Sequence, residues 1–164
     1  MFGKLENGSV KVFEAPLIVG KLKHFKPSKE DLLEAGWKEI VYVKADVNEL
    51  IEKMPRKTKY VEKKDTIEVH TEYVANEHLI KEFYTDALRE ALDKYAKNRG
   101  YSDIVSLCSY LNSTNEEYRR EAEDAIRLRD EMWPALYEAL AKLELKDLKS
   151  LPDKQSFLNQ LGQI

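Results

Sequence analysis

The chain has 164 residues, of which 43% are hydrophobic and 35% charged, and its formal net charge is -3. This length fits one domain with a modest core, or a small β-rich unit joined to a helical one. The nearly balanced charge excludes bulk attraction to a polyanion, the lack of an apolar run of about 18 residues excludes a membrane-spanning helix, and a single cysteine excludes an internal disulfide.

Strand signals dominate the first 75 residues. Asn7-Gly8 is typical of a tight turn, and Pro16 leads into the apolar segment Leu17–Leu22. The strongest signal is Thr66–Tyr73, in which apolar or β-prone side chains alternate with charged ones at period two. Further strands are predicted at Val10–Phe13, Trp37–Lys44 and Lys59–Glu62. We therefore predict a small antiparallel β-rich region.

Two short helices are predicted between these strands. Ser28 and Asp31 have the spacing of a capping box, and Gly36 can end the first helix in the left-handed conformation. Asp46 repeats this spacing with the glutamate three residues later, and Pro55 should end the second helix.

The densest basic stretch of the chain is Lys53–Lys64, with six lysines or arginines and one aromatic residue, Tyr60. One interpretation is a nucleic-acid contact, which would require these charges to lie on one face. The favoured interpretation is that solvated lysines protect an exposed hairpin edge.

The hydrophobic period changes to that of a helix from residue 76 onward. One long amphipathic helix should end before Gly100, a short helix should span Asp103–Leu111, and a second long helix should begin at Thr114. Pro134 should kink this second helix or make it restart near Trp133.

The last residues, 151–164, form a short apolar segment that would fray alone and is expected to dock. Its apolar face consists of Leu151, Phe157, Leu158 and Leu161. The predicted fold class is α+β, with a small antiparallel β-rich N-terminal half that contains two short helices (1–75), an α-helical hairpin or bundle (76–150) and this segment (151–164).

The segment Arg99–Thr114 contains four serines, the only cysteine and two tyrosines. Its apolar residues follow helical spacing, which favours packing over catalysis. A nucleophilic Cys108 would need a base, and the three histidines lie in or beside the β-rich half. No glycine-rich phosphate loop occurs, and no cofactor is predicted. The alternative is a small enzyme or metal-binding protein that uses Cys108 or the region of His70 and His78, although these histidines lack a recognised ligand spacing.

Arg129 occupies the apolar stripe of the second long helix, one turn before Trp133. In one interpretation, its guanidinium pairs with a carboxylate on a neighbouring helix, such as Asp103 or Asp93. In the other, Arg129, Trp133 and Tyr101 form a partner-binding patch, because these residue types are common at interface hot spots.

The segment Arg99–Thr114, together with EEYRREAEDAIRLRDEMW after it, resembles the helical region of a family of small phage and prophage proteins found near tail and tail-fibre genes. The matching positions are Arg99-Gly100-Tyr101, Ser109-Tyr110, Ser113, Glu121-Ala122, Arg129-Asp130 and Trp133. NGSVKVFEAP, FKPSKEDLLEAGWKEI and SLPDKQSFLNQL also resemble segments of such proteins. Pro134 departs from this pattern.

The resemblance implies a non-enzymatic phage tail-associated protein, either a tail or tail-fibre assembly chaperone or a minor structural component. Its partner would be a phage tail or fibre protein, and its location the cytoplasm of the bacterial host or the virion tail. No membrane partner is expected, nucleic acid is disfavoured, and a homo-oligomer is left open. The predicted partner-binding residues are Tyr101, Arg129, Trp133, Phe157, Leu158 and Leu161.

Overall fold

The computed structural model describes residues 1–145 and 147–162 and divides the chain into two units. The strand unit comprises Met1–Val47 and Pro55–Val74, and the helical unit comprises Asn48–Met54 and the chain from Ala75 onward. The predicted α+β class, with strands in the N-terminal half and helices in the C-terminal half, is confirmed. The short helix expected after Asp46 belongs to the helical unit, although it falls within residues 1–75.

The main layer of the strand unit is a five-stranded sheet in the order β2-β1-β5-β7-β6, and β3 and β4 form a separate hairpin. The elements of this unit are β1 (Phe2–Glu6), β2 (Ser9–Val12), β3 (Leu17–Val19), β4 (Leu22–His24), α1 (Lys29–Glu34), β5 (Lys38–Val43), β6 (Arg56–Glu62) and β7 (Thr66–Tyr73).

The sheet is mixed: three of its four strand pairings are antiparallel, as predicted, and the prediction is wrong only for the pair of β5 and β7. β5 and β7 are parallel neighbours, whereas β6 and β7 form the predicted antiparallel hairpin. The connection from β5 to β6 skips one strand position, and β7 then fills it. Because β6 runs antiparallel to β5, its hairpin partner β7 runs parallel to β5 in that position. The alternating pattern within β7 specifies its buried side and not the direction of its neighbour.

Local signals in the strand unit are confirmed at two places. Asn7 and Gly8 have φ values of 50° and 77°, as the two-residue turn between β1 and β2 requires. The Ser28 hydroxyl accepts a hydrogen bond from the backbone N–H of Asp31, whose carboxylate accepts one from the backbone N–H of Ser28. This is the predicted capping box.

The core of the strand unit is small. Ile40 of β5 and Ile67 of β7 are register partners and both are buried, as are Leu17 and Leu32. Thr71, further along the predicted apolar side of β7, is exposed. The period-two pattern therefore identified the strand correctly, but of its apolar side only Ile67 is fully buried.

In the part of the helical unit that the structure describes, six α- and 3₁₀-helical segments follow residue 76, and one short helix comes from the earlier segment. They are α2 (Glu49–Glu52), α3 (Glu77–Lys97), α4 (Ile104–Cys108), a 3₁₀ helix (Ser109–Asn112), α5 (Glu116–Ala141), a second 3₁₀ helix (Leu148–Ser150) and α6 (Lys154–Leu161).

Two helices begin later than predicted. The side chain of Asn48 accepts a hydrogen bond from the Ile51 N–H at 3.0 Å, so this residue caps α2 in place of Asp46. The side chain of Asn115 accepts one from the Glu117 N–H at 2.9 Å and caps α5 in place of Thr114. In both cases an asparagine closer to the first turn satisfies a free backbone N–H.

Helix α5 is continuous through Pro134, so the predicted restart near Trp133 is wrong, whereas the alternative of a kink at this residue stays a prediction. Proline lacks the N–H that would bond to the carbonyl of Asp130, and both residues are exposed, which leaves that carbonyl accessible to water. Met132 and Leu136 are buried on either side of the proline. Tertiary packing thus holds the helix across the missing hydrogen bond.

The C-terminal segment docks within the helical unit through α6. Phe157 has no exposed surface and stacks on Tyr84 of α3, with ring centroids 3.9 Å apart. The Tyr84 hydroxyl donates to the carbonyl of Pro152 at 2.6 Å, and burial raises the pKa of Tyr84 to about 12. The predicted docking is therefore confirmed as docking on the chain itself; Gln163 and Ile164 lie outside the described residues.

Candidate protein-binding surface

Helix α4 is anchored between the two long helices of the unit. The Asp93 carboxylate of α3 accepts a hydrogen bond from the Ile104 N–H at 3.0 Å, and the Asp103 side chain caps α4 by accepting one from the Ser106 N–H at 2.7 Å. Leu107 is fully buried in a cluster with Ala96 of α3 and Ala125 of α5. The small alanines allow the helices to approach closely around one large side chain.

This anchoring brings three tyrosines together at one end of the unit, and we call Tyr101, Tyr110 and Tyr118 the tyrosine cluster. Every pair of rings makes an edge contact, with centroid distances of 5.4, 5.6 and 6.5 Å. Edge-to-face packing is a favourable arrangement for aromatic rings. Nevertheless, Tyr110 and Tyr118 remain 40% and 43% exposed.

Exposed apolar surface in the helical unit is concentrated around this cluster. Among the described residues, the large hydrophobic side chains of this unit that are classed as exposed are Val105, Tyr110, Leu111, Tyr118 and Tyr137. All but Tyr137 lie between positions 105 and 118. An apolar concentration of this kind on a protein surface is typical of an interaction site.

The hydroxyl of Tyr101 fixes the position of its ring. It donates to the Glu121 carboxylate at 2.7 Å, and this hydrogen bond, with a smaller contribution from burial, raises the pKa of Tyr101 to about 12. The carboxylate disfavours a second negative charge on the phenol oxygen. The contact therefore stabilises the fold below about pH 10 and loses its effect as the pH rises through about 12.

Replacing Glu121 with glutamine should lower the pKa of Tyr101 toward its ordinary value of 10.0, because a neutral amide no longer opposes ionisation. Phenolate absorbance during an alkaline titration would measure this shift. Glu123→Gln is the matched control, because Glu123 is an exposed glutamate on the same helix. An unchanged titration curve in Glu121→Gln would contradict the hydrogen bond.

Arg129 does not form the ion pair predicted with Asp103 or Asp93. Its guanidinium donates to the Asp130 carboxylate at 3.0 and 3.1 Å, and its side chain remains 41% exposed. Asp93 and Asp103 are already occupied by the backbone N–H groups of α4. Arg129 thus reaches solvent from the edge of the apolar stripe.

Trp133 lies apart from the tyrosine cluster, so the structure does not bring the predicted patch together. Its ring lies 6.2 Å from that of Tyr137, and the guanidinium of Arg89 lies 5.9 Å from its centroid. Glu121, which holds Tyr101, is 12 residues from Trp133 along α5, equivalent to about 18 Å of helix. Tyr101 is therefore grouped with Tyr110 and Tyr118 and not with Arg129 and Trp133.

The three predicted binding residues of the C-terminal segment have different environments. Phe157 belongs to the core and has no free surface for a partner while α6 is docked. Leu158 is half-buried and lines a polar groove of about 740 Å³ beside Lys94 and Asn159, and Leu161 is also half-buried. Helical periodicity marked these side chains as apolar but could not say what they would cover.

Cys108 is half-buried, and burial raises the pKa of its thiol. A protonated thiol is a weak nucleophile. His70 lies on β7 with its Nε2 atom 3.0 Å from the Glu68 carboxylate, and His78 lies in the first turn of α3. Within residues 1–145 and 147–162, no group of three or more His, Cys, Asp or Glu side chains could hold a metal ion.

The basic stretch Lys53–Lys64 contains an edge strand, as predicted, because β6 lies at one edge of the sheet. Lys59 pairs with Glu72 of β7 at 2.8 Å, and Lys63 pairs with Glu68. Charged side chains along an edge oppose further strand pairing.

The fold and this surface define an α+β protein with an exposed aromatic cluster on its helical unit. No protein-family model, curated protein or solved structure matches the chain. None of the helices in the described part of the chain is both long and apolar enough to cross a membrane.

The sequence interpretation missed Tyr110 and Tyr118 as site residues. Tyr118 falls on the apolar stripe of α5, which favours its interpretation as a packing residue. The available signal was the presence of three tyrosines around the turn between two helices.

Proposed function

We propose that this chain is a non-enzymatic phage tail-associated protein that acts through protein contacts, either as a tail or tail-fibre assembly chaperone or as a minor structural component. The observation that carries the proposal is the tyrosine cluster, whose rings are packed together yet exposed. The resemblance of Arg99–Thr114 and of the following helix to tail-region proteins supplies the phage context.

The tyrosine cluster is suited to protein binding because its rings are already ordered. Tyr101 is held by Glu121, and Tyr110 and Tyr118 each contact the other two rings. A tyrosine that is rigid before binding loses little conformational entropy and supplies a large amphipathic contact area. Tyrosine is also enriched among residues that contribute most of the binding energy at interfaces.

The experiment is a tagged pull-down from lysate of cells producing the phage, with mass spectrometry of the captured proteins and of purified particles. Capture of a tail or fibre protein without the chain in the particles indicates a chaperone. Presence of the chain in the particles indicates a structural component. Failure to detect either would contradict the proposed function.

The double variant Tyr110→Ala with Tyr118→Ala should reduce capture of the tail or fibre protein by at least about tenfold, because loss of two aromatic contacts costs more than about 1.4 kcal/mol. The double Phe variant should retain most of the capture, since it keeps both rings. Tyr137→Ala is the matched control, an exposed tyrosine of α5 outside the cluster. Equal capture by wild type and the double Ala variant, with unchanged circular dichroism, would rule out the cluster as the contact surface.

A further inference from the structure

The hairpin formed by β3 and β4 is a second surface, located in the strand unit. Its two-residue loop is Gly20-Lys21, and the φ of 61° at Gly20 matches the first position of a type II′ turn. Leu17 is buried, but every other residue of the two strands is exposed. The hairpin is therefore anchored at one end and is otherwise covered on neither side.

Four exposed apolar side chains of the strand unit lie close together in the sequence, within the hairpin or directly after it. Ile18, Val19, Leu22 and Phe25 are between 51% and 71% exposed. Val19 and Leu22 are register partners, so two of these side chains lie next to each other on one side of the hairpin. Apolar surface of this density favours burial against another molecule.

Both outer edges of the hairpin lack a neighbouring strand within the described residues. Each strand of a two-stranded sheet uses only the backbone groups that face its partner, which leaves the outward N–H and C=O groups open to a third strand. Isolated hairpins of this size are only marginally stable, so a third strand would stabilise this one. The edge of β4 is the more accessible, because all three of its residues are exposed.

The charge of the hairpin specifies the chemistry of its partner. Lys21, Lys23 and Lys26 surround the exposed apolar residues, and no acidic residue occurs between Glu14 and Glu30. None of these three lysines forms an ion pair in the described part of the chain. A partner with carboxylates would be attracted, whereas a second copy of the same hairpin would be repelled.

We propose that the edge of β4 binds an extended acidic segment of a partner protein, which adds a third strand to the hairpin. Because side chains alternate along β4, the carboxylates of this segment face Lys23 on one side of the hairpin, next to Lys21 of the turn, and its apolar side chains cover Leu22 on the other side. Main-chain hydrogen bonds supply affinity and the side chains supply specificity. Lipid also offers negative charge and apolar contact, but hydrocarbon cannot satisfy the free backbone groups of the edge. This inference does not rest on the proposed function, because it concerns a different unit and a different surface.

The test uses the full chain and a capped peptide of alternating Glu and Val, about eight residues long. Hydrogen exchange should show that saturating peptide slows exchange in Leu22–His24 by at least about tenfold. Binding should weaken at least about fivefold as salt is raised from about 0.05 to 0.3 M, since exposed charges are screened. A peptide of alternating Lys and Val should not bind.

The double variant Lys21→Glu with Lys23→Glu should lose the peptide-dependent protection. Lys11→Glu with Lys64→Glu is the matched control, because it makes the same change in net charge at two exposed lysines elsewhere in the strand unit. Protection that persists in the hairpin variant would overturn the proposal. Protection by anionic phospholipid vesicles but not by the acidic peptide would overturn it in favour of a membrane surface. Concentration-dependent protection without peptide would overturn it in favour of a second copy.

Discussion

Replacing Phe157 with alanine should lower the free energy of unfolding of the helical unit by about 3 to 5 kcal/mol. The side chain is fully buried and stacks on Tyr84, so the substitution removes the contact that holds α6 and leaves a cavity beside α3. Chemical denaturation followed by circular dichroism would measure the loss. The pKa of Tyr84 should also fall from about 12, because departure of α6 opens its phenol to water.

Gln160→Ala is the control for this prediction, since Gln160 is an exposed residue of the same helix. Its effect should stay within about 0.5 kcal/mol, as is usual for surface substitutions. A Phe157→Ala variant as stable as the control would show that α6 does not contribute to the core in solution. The segment would then be free to bind a partner, as its apolar residues suggested before their packing was known.

Replacing Leu107 with alanine should lower the same free energy by about 2 to 5 kcal/mol. Leu107 is the large buried side chain between Ala96 and Ala125, and these small residues cannot fill the space that it would leave. Denaturant unfolding measured alongside Val105→Ala provides a matched comparison, because Val105 is a highly exposed residue of the same short helix. A similar small loss in both variants would contradict the packing of α4 between the long helices.

This substitution also connects packing with the proposed function. Helix α4 leads directly into the 3₁₀ helix that carries Tyr110. Loosening α4 should separate Tyr110 from Tyr101 and Tyr118, so capture of a tail or fibre protein should fall in Leu107→Ala under conditions where the variant is still folded. Val105→Ala tests whether the exposed surface of α4 itself takes part in the contact.

Local structure was largely predictable where one short segment determines it. The turn at Asn7-Gly8 and the capping box of Ser28 depend on conformational preferences of adjacent residues. Gly100 has a φ of 88° after α3, which is the left-handed conformation predicted for it. Even here one predicted cap was displaced by a neighbouring residue. Asn115 and not Thr114 caps α5, because Asn115 lies closer to the first turn of the helix.

The candidate site was only partly predictable. The sequence indicated Tyr101 as a binding residue, but it grouped that residue with Arg129 and Trp133 because all three types occur at hot spots. The structure groups it with Tyr110 and Tyr118, since the anchoring of α4 by Asp93 and Leu107 folds the chain back on itself. No periodic pattern within one helix contains that information.

The sequence by itself determined the α+β class, the order of most helices and strands, and the positions of the main turns, because periodicity and capping act over a few residues. Only the tertiary structure decided that β7 runs parallel to β5, that α5 continues through Pro134, that Phe157 covers Tyr84 and that three tyrosines share one surface. These outcomes depend on contacts between residues distant in the chain, where burial of apolar surface outweighs local preference.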